Sequence, residues 1–167
     1  MPRRLVATAP HVVEVEEFDA PAIGPGQVRI RTEFASGKHG TARALFDKVN
    51  FQGQVFDQEM RLFRPAEDGV GWGGFGGAMA LGTTGVGVVE EVGADVTNVG
   101  VGDRVVGILK VASENVVDAD HVWLLGDADP LESLCVEAGY VSIHAVREAD
   151  VRFGETVAVF GLGAIGL

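Results

Sequence analysis

Apolar positions along this chain recur mostly at every second residue, in short runs broken by glycine and proline. Val13-Glu-Val-Glu alternates as a half-exposed strand does, and residues 3–8 and 12–18 read as two short strands. Pro21-Ala-Ile-Gly-Pro-Gly26 is a turn cluster. Val28-Arg-Ile-Arg-Thr-Glu-Phe34 then alternates at period two, which puts Val28, Ile30, Thr32 and Phe34 on one face. Ser36-Gly-Lys-His-Gly-Thr41 reads as a polar loop, with a short helix expected over Ala42–Lys48. Thr84–Val92 is strand-like, Val101–Leu109 reads as a turn and a strand, and Val116–Leu125 holds one or two more short strands.

The helical period shows convincingly once. Asp129-Pro-Leu-Glu132 opens a helix predicted over 130–147. Asp129 can accept from the free N–H groups of the first turn, Pro130 suits the first helical position, and Glu132 completes a capping box. Gly139 weakens that helix by about 1 kcal/mol relative to alanine. Val151-Arg-Phe-Gly154 reads as a turn and Thr156–Phe160 as a final strand. Residues 50–80 fit neither period and are expected to be irregular. They carry Phe51, Phe56, Phe63, Trp72, Phe75 and a glycine run over 69–77. A loop of that length is commonly functional or mobile. Its aromatic residues favour a lid or an interface over a plain surface loop.

Many short strands, one helix and then a new α/β beginning predict a mainly β fold: a barrel-like domain over 1–153 and the first strand of a doubly wound α/β domain over 154–167. Hydrophobic residues make up 47% of the 167 and charged residues 22%, enough to bury a core. The formal net charge of −11 disfavours a nucleic-acid partner, which needs clustered Lys and Arg. Cys135 is the single cysteine, so no internal disulfide forms and a reducing, cytoplasmic location is expected. No signal peptide or membrane span can be drawn, and no membrane partner is expected.

The last residues carry the sharpest motif. A β-branched run enters Gly161-x-Gly163-x-x-Gly166, as the first strand and turn of a dinucleotide-binding βαβ unit do. Gly161, Gly163 and Gly166 are therefore the candidate cofactor-binding residues. The helix and second strand that complete such a unit would follow Leu167. This reads as the front part of a larger enzyme that is inactive without the remainder.

Four segments line up in order: Pro25–Arg31 with Ala35-Ser-Gly-x-x-Gly-Thr41; Leu81-Gly-Thr-Thr-Gly-Val-Gly-Val-Val-Glu-Glu-Val-Gly93; Val99-Gly-Val-Gly-Asp-Arg-Val105; and Glu137–Val146 with Val151–Leu167. Together they resemble the medium-chain dehydrogenase/reductase superfamily, the zinc alcohol dehydrogenase-like proteins whose N-terminal domain is GroES-like. The resemblance covers nearly the whole chain apart from residues 50–80. It implies a partly open GroES-like β-barrel with few short helices, on the substrate side of a cleft whose other side holds NAD or NADP. It also implies hydride transfer with an alcohol, carbonyl or activated alkene, and pairing of the full-length enzyme through the cofactor domain.

The departures from the zinc-dependent pattern matter as much. His39 stands where the first cysteine ligand is found, and Gly82-Thr83-Thr84 replaces a Gly-His-Glu motif. Glu137 falls on the third ligand position. His39 and Glu137 alone do not supply the four ligands that zinc takes, so no catalytic zinc is expected. Thr41 matches the position whose hydroxyl relays the substrate proton. His39 could supply that proton, and Lys38 could stabilise a developing oxyanion.

Each has a plainer reading. His39 could be a loop histidine or a remnant ligand, and Thr41 a helix N-cap. Thr83 and Thr84 read as strand residues, Glu137 as a mid-helix solvated or hydrogen-bonded carboxylate, and Cys135 as a small buried hydrophobe. His121 and His144 read as structural. Two other functions compete: a zinc dehydrogenase with atypical ligands, and a non-catalytic GroES-like binding or assembly module.

Overall fold

The computed structural model describes residues 1–9, 11–37, 40, 43, 54–66 and 79–166. The expected helix over Ala42–Lys48 and the glycine run over 69–77 lie outside the described residues, apart from Arg43. Ten strands are described: β1 (Arg3–Ala9), β2 (Val12–Glu17), β3 (Gln27–Ser36), β4 (Gln54–Asp57), β5 (Leu62–Pro65), β6 (Met79–Ala80), β7 (Thr84–Val92), β8 (Arg104–Gly107), β9 (Glu114–Asp118) and β10 (Val122–Leu124). A 3-10 turn over Glu132–Cys135 leads into the helix α1 (Val136–Glu148).

The strands form three antiparallel sheets, ordered β2-β1-β6, β10-β8-β7-β3-β9 and β4-β5. The two larger sheets are stitched together along residues 111–113. The Leu5 amide donates to the Val111 carbonyl at 2.8 Å, and the Ser113 amide donates to the Arg3 carbonyl at 2.8 Å. On the other side of that segment the Thr32 amide donates to the Ser113 carbonyl at 3.0 Å. The mainly β fold expected from the alternation is what forms; among the described residues the two larger sheets are stitched together and do not close into a barrel.

Successive valines of β8 show why the alternation works. Val105 joins Val28, Ile30, Val89, Leu109, Ala119 and Val122 on one face, whereas Val106 packs with Val86, Leu125 and Leu134 on the other. Val28 and Ile30 are fully buried, as the period-two pattern predicts. Phe34 departs from that pattern. The register slips between Thr32 and Phe34, a bulge places Phe34 opposite Val86, and the ring is 39% exposed. The same row continues from Val86 to Val106 and from Val106 to Trp123. Two partly exposed aromatic residues thus flank two buried valines across four strands. The opposite edge of the pattern is polar, where Arg29 bridges Glu91 (2.8 Å) and Glu114 and holds three neighbouring strands in one charge group.

Residues 50–80 correct the expectation of an irregular segment. A hairpin, β4–β5, lies inside it, with Phe56 and Phe63 edge to face at 5.1 Å between centroids. Its strands are four residues each, too short for alternation to register. Its turn is made by Asp57, whose carboxylate accepts from the amides of Glu59 (3.0 Å) and Met60 (2.9 Å). Asp57 is held below the ordinary aspartate pKa, chiefly by the Met60 amide, with smaller help from the Glu59 amide and Arg64 against partial desolvation.

The Asp129 cap is present: its carboxylate accepts from the amides of Leu131 (2.8 Å) and Glu132 (3.1 Å). The first turn is 3-10, and α1 proper ends at Glu148, one residue past the expected end. Cys135 is exposed instead of buried, because the apolar side of this turn is carried by Leu134, which packs on Val86, Val106 and Leu125. Glu137 sits in the first turn of α1, half-buried, instead of mid-helix. Thr156–Phe160 forms no ladder. A strand exists by pairing, and no described strand lies beside it. Val157, Val159 and Phe160 are accordingly exposed.

Two outcomes follow from this architecture. A Cβ on Gly139 would meet nothing within 4 Å, so Gly139→Ala should raise the unfolding free energy by about 1 kcal/mol through backbone entropy alone; a lower urea midpoint would contradict it. The Asp57 carboxylate, with its lowered pKa, contributes stability that is present above the unfolded-state pKa and lost as the pH falls through the folded value. The Glu59 and Met60 amides should therefore lose protection from exchange in acid, and Asp57→Asn should remove that pH dependence. Protection that is unchanged down to strong acid would count against the turn described.

Candidate functional site

The candidate site lies where three chain segments meet. β3 ends at Ser36 and delivers the chain to residues 37–41. The Ser36 carbonyl accepts from the Thr83 amide at 2.9 Å, and Ser36 also pairs with Thr84, the first residue of β7. Thr84 is only 2% exposed. The Gly82-Thr83-Thr84 corner is therefore fixed to the very end of β3, the strand that precedes Lys38, His39 and Thr41 in the chain. Those three residues lie outside the described residues, while their strand-end anchor is described in full.

The third segment is Lys110–Val111, between β8 and β9. The Val111 amide donates to the Leu81 carbonyl at 2.7 Å, and the Leu81 amide donates to the Leu5 carbonyl at 3.0 Å. Gly82 has φ of 111° and is buried. A Cβ there would sit on the Val111 amide nitrogen and 2.8 Å from the Lys110 Cα. Only glycine meets both conditions at once, the left-handed φ and the backbone contact.

A buried amide holds the third segment in shape. Asn115, 8% exposed, accepts from the Lys110 amide through Oδ1 at 2.9 Å. Its Nδ2 donates to Thr32 Oγ1 at 2.9 Å and to the Lys110 carbonyl at 3.2 Å. Asn115 thereby engages both backbone groups of Lys110, whose carbonyl also accepts from the Ala112 amide at 2.8 Å. The Lys110 side chain extends outward, and its Nζ donates to the Gly82 carbonyl at 3.3 Å. Asn115 and Lys110 were missed in the sequence, because nothing in their spacing marks a corner formed by residues so far apart in the chain.

Among the described residues no group of three or more His, Cys, Asp or Glu side chains is placed to hold a metal ion. Glu137 has an interaction partner. Thr84 is the strand residue expected of it, whereas Thr83 lies in the bend just before the strand. Tyr140 and His144 stack at 6.2 Å on α1.

The glycine fingerprint forms a compact turn. Gly161 has φ of 96°, and the Gly166 amide donates to the Gly163 carbonyl at 3.0 Å. A Cβ on Gly166 would collide with the Gly161 carbonyl oxygen. The Ser142 hydroxyl of α1 lies 2.8 Å from the Ile165 carbonyl and 2.9 Å from that of Ala138. The turn is thus tied to α1, and its first and last glycines meet at a spacing that no side chain could share.

No family model matches the chain. It is 35% identical over 173 residues to D-guloside 3-dehydrogenase of Escherichia coli K12, an alignment covering 98% of this chain and 48% of that protein. Among solved structures, galactitol-1-phosphate dehydrogenase from Escherichia coli superposes with a TM-score of 0.72 at 19% identity, over 98% of this chain and 50% of that one. 2R,3R-butanediol dehydrogenase from Bacillus subtilis gives 0.68 at 23% identity, over 99% and 52%. The fold is shared with about half of each of these two dehydrogenases. The chain is similar to dehydrogenases of the kind its motifs imply, and it spans about half the length of the curated relatives it matches.

Gly82 gives this site its stability test. Gly82→Ala should cost about 2 kcal/mol or more, from left-handed strain and contact with backbone that cannot move aside. Thermal unfolding measures it. A variant as stable as the parent would mean that the crossing is looser than described.

Proposed function

We propose that this chain is the substrate-side domain of an NAD(P)-dependent oxidoreductase, with residues 154–167 opening its dinucleotide-binding domain. The reaction is hydride transfer between the nicotinamide and a secondary alcohol or its ketone. The alignment over 98% of the chain with a dehydrogenase carries this reading. The name of that relative points to a sugar-like, polyhydroxylated substrate. Cytoplasmic location and pairing through the cofactor domain are part of the same proposal. No described helix is long and apolar enough to cross a membrane.

The residues present fit a dinucleotide. Gly161 takes a left-handed φ and Gly166 packs directly on its carbonyl, the tight glycine turn such a fingerprint needs, and Gly161, Gly163 and Gly166 would hold the pyrophosphate against main-chain amides. The nicotinamide supplies hydride acceptance and donation when bound. The chain's own residues handle the proton and the charge: Thr41 orients the substrate hydroxyl and relays its proton, His39 takes it up near neutral pH, and Lys38 steadies the oxyanion.

The apolar exposure of α1 supports the placement of the cofactor domain. Val136, Tyr140 and Ile143 follow helical spacing and are 43%, 70% and 63% exposed. Phe153 and Phe160 are bare as well. The dinucleotide-binding domain would cover these residues and supply neighbours for Thr156–Phe160.

The reaction is proposed to proceed without catalytic zinc, because the ligand positions read His39, Thr83 and Glu137. In the full-length enzyme, Thr41→Ala should lower kcat about 100-fold or more with intact folding, and metal analysis should find no stoichiometric zinc. Unchanged turnover in that variant removes the relay role. Zinc at one per active site would favour a dehydrogenase with atypical ligands instead.

A further inference from the structure

A cleft opens where the two larger sheets part. β3 pairs with β9 as far as Arg31 and Glu114, and the Thr32 amide adds one more bond, to the Ser113 carbonyl. The bulge between Thr32 and Phe34 then bends β3, which runs on to Ser36 paired with β7. Residues 111–113 do not follow it; they stay bonded to Arg3 and Leu5 of β1. The fork leaves a cleft of about 370 Å³, open to solvent. A volume of that order is enough for a small molecule. Leu5 and its cross-strand neighbour Val15 line one wall, Ala35 of β3 lines another, and Val111 lies between them. Val15 is 64% exposed, so apolar surface stands open at the β2 side.

Three charged residues also line the cleft. Arg4 is committed to Glu16, Nε to Oε1 at 2.6 Å, and lies over the Phe18 ring. Glu33 is committed to Arg104 at 2.7 Å. Arg3 shares a face of β1 with Leu5, and it meets no carboxylate among the described residues. Beside it the Ser113 hydroxyl accepts from the Arg3 amide at 2.9 Å, and a hydroxyl that accepts still has its own proton to give. The two ion pairs cancel, so the cleft keeps one positive charge and one hydroxyl donor next to apolar walls. We propose that this cleft binds a small amphipathic carboxylate, its anion on Arg3 and Ser113 and its apolar body against Leu5, Val15, Ala35 and Val111. Covering the apolar walls drives association, and the guanidinium fork matches the two oxygens of a carboxylate. No bond is made or broken there. None of these residues has a part in the proposed hydride transfer, so the inference does not rest on the dehydrogenase reading.

Binding is measured directly, without turnover. The probe is octanoate, with octanamide as its neutral counterpart and acetate as the anion without an apolar body. Calorimetry on the full-length protein should find one octanoate per chain, octanamide about tenfold weaker, as expected for loss of a charged hydrogen bond, and no saturable binding of acetate. Arg3→Gln should bring octanoate down to the affinity of octanamide and leave octanamide unchanged. Val15→Ser, at an exposed position of the edge strand β2, should weaken both. With labelled methyl groups, the resonances of Leu5, Val15 and Val111 should shift saturably as octanoate is added. Octanamide as tight as octanoate, no loss in Arg3→Gln, or saturable shifts confined to other methyl groups would overturn the proposal. No octanoate binding to the wild type overturns it as well, and leaves the fork as a gap between sheets.

Discussion

The backbone crossing of Gly82 over Lys110 and Val111 is the constraint on which the rest of the molecule depends. It joins the two main sheets, because Leu81 is held by Leu5 of β1 on one side and by Val111 on the other. It fixes the start of β7 against the end of β3, through the Thr83 amide and the Ser36 carbonyl. It also exists only because residue 82 has no side chain. Hydrophobic burial drives the sheets together, but burial is non-directional. The crossing, with Asn115 inside it, sets where they meet, and so sets where the chain leaves β3.

Much of this fold is legible in the sequence wherever a physical rule acts locally. Alternation located β1, β2, β3, β7 and the strands around Val116–Leu125. The Asp129 cap located the helix to within a residue of its end. The errors fall where non-local contacts decide. The bulge that turns Phe34 toward Val86 depends on a partner strand more than forty residues away. The β4–β5 hairpin is too short to show a period and is fixed by an Asx turn and one aromatic pair. Cys135 reads as a core residue by type, but the 3-10 turn gives the inward position to Leu134.

The site divides in the same way. Motifs marked the 82–84 corner and the glycine turn, because those need glycine in particular backbone states. Lys110 and Asn115 carry no motif. They become meaningful only once β9 is laid beside β3 and Asn115 comes within reach of Thr32. A buried asparagine that satisfies a corner looks, in one dimension, like any polar residue in a β-rich stretch.

The way the corner is held has a consequence for how such a domain can change over time. Its contacts at residues 81–83 include main-chain hydrogen bonds, the Lys110 side chain and the absent side chain of Gly82. A scaffold built so separates the part that must be inherited unchanged from the part that can be rewritten. What has to be inherited at the crossing is the path of the main chain and the absence of a side chain at residue 82, whatever chemistry is carried beyond it.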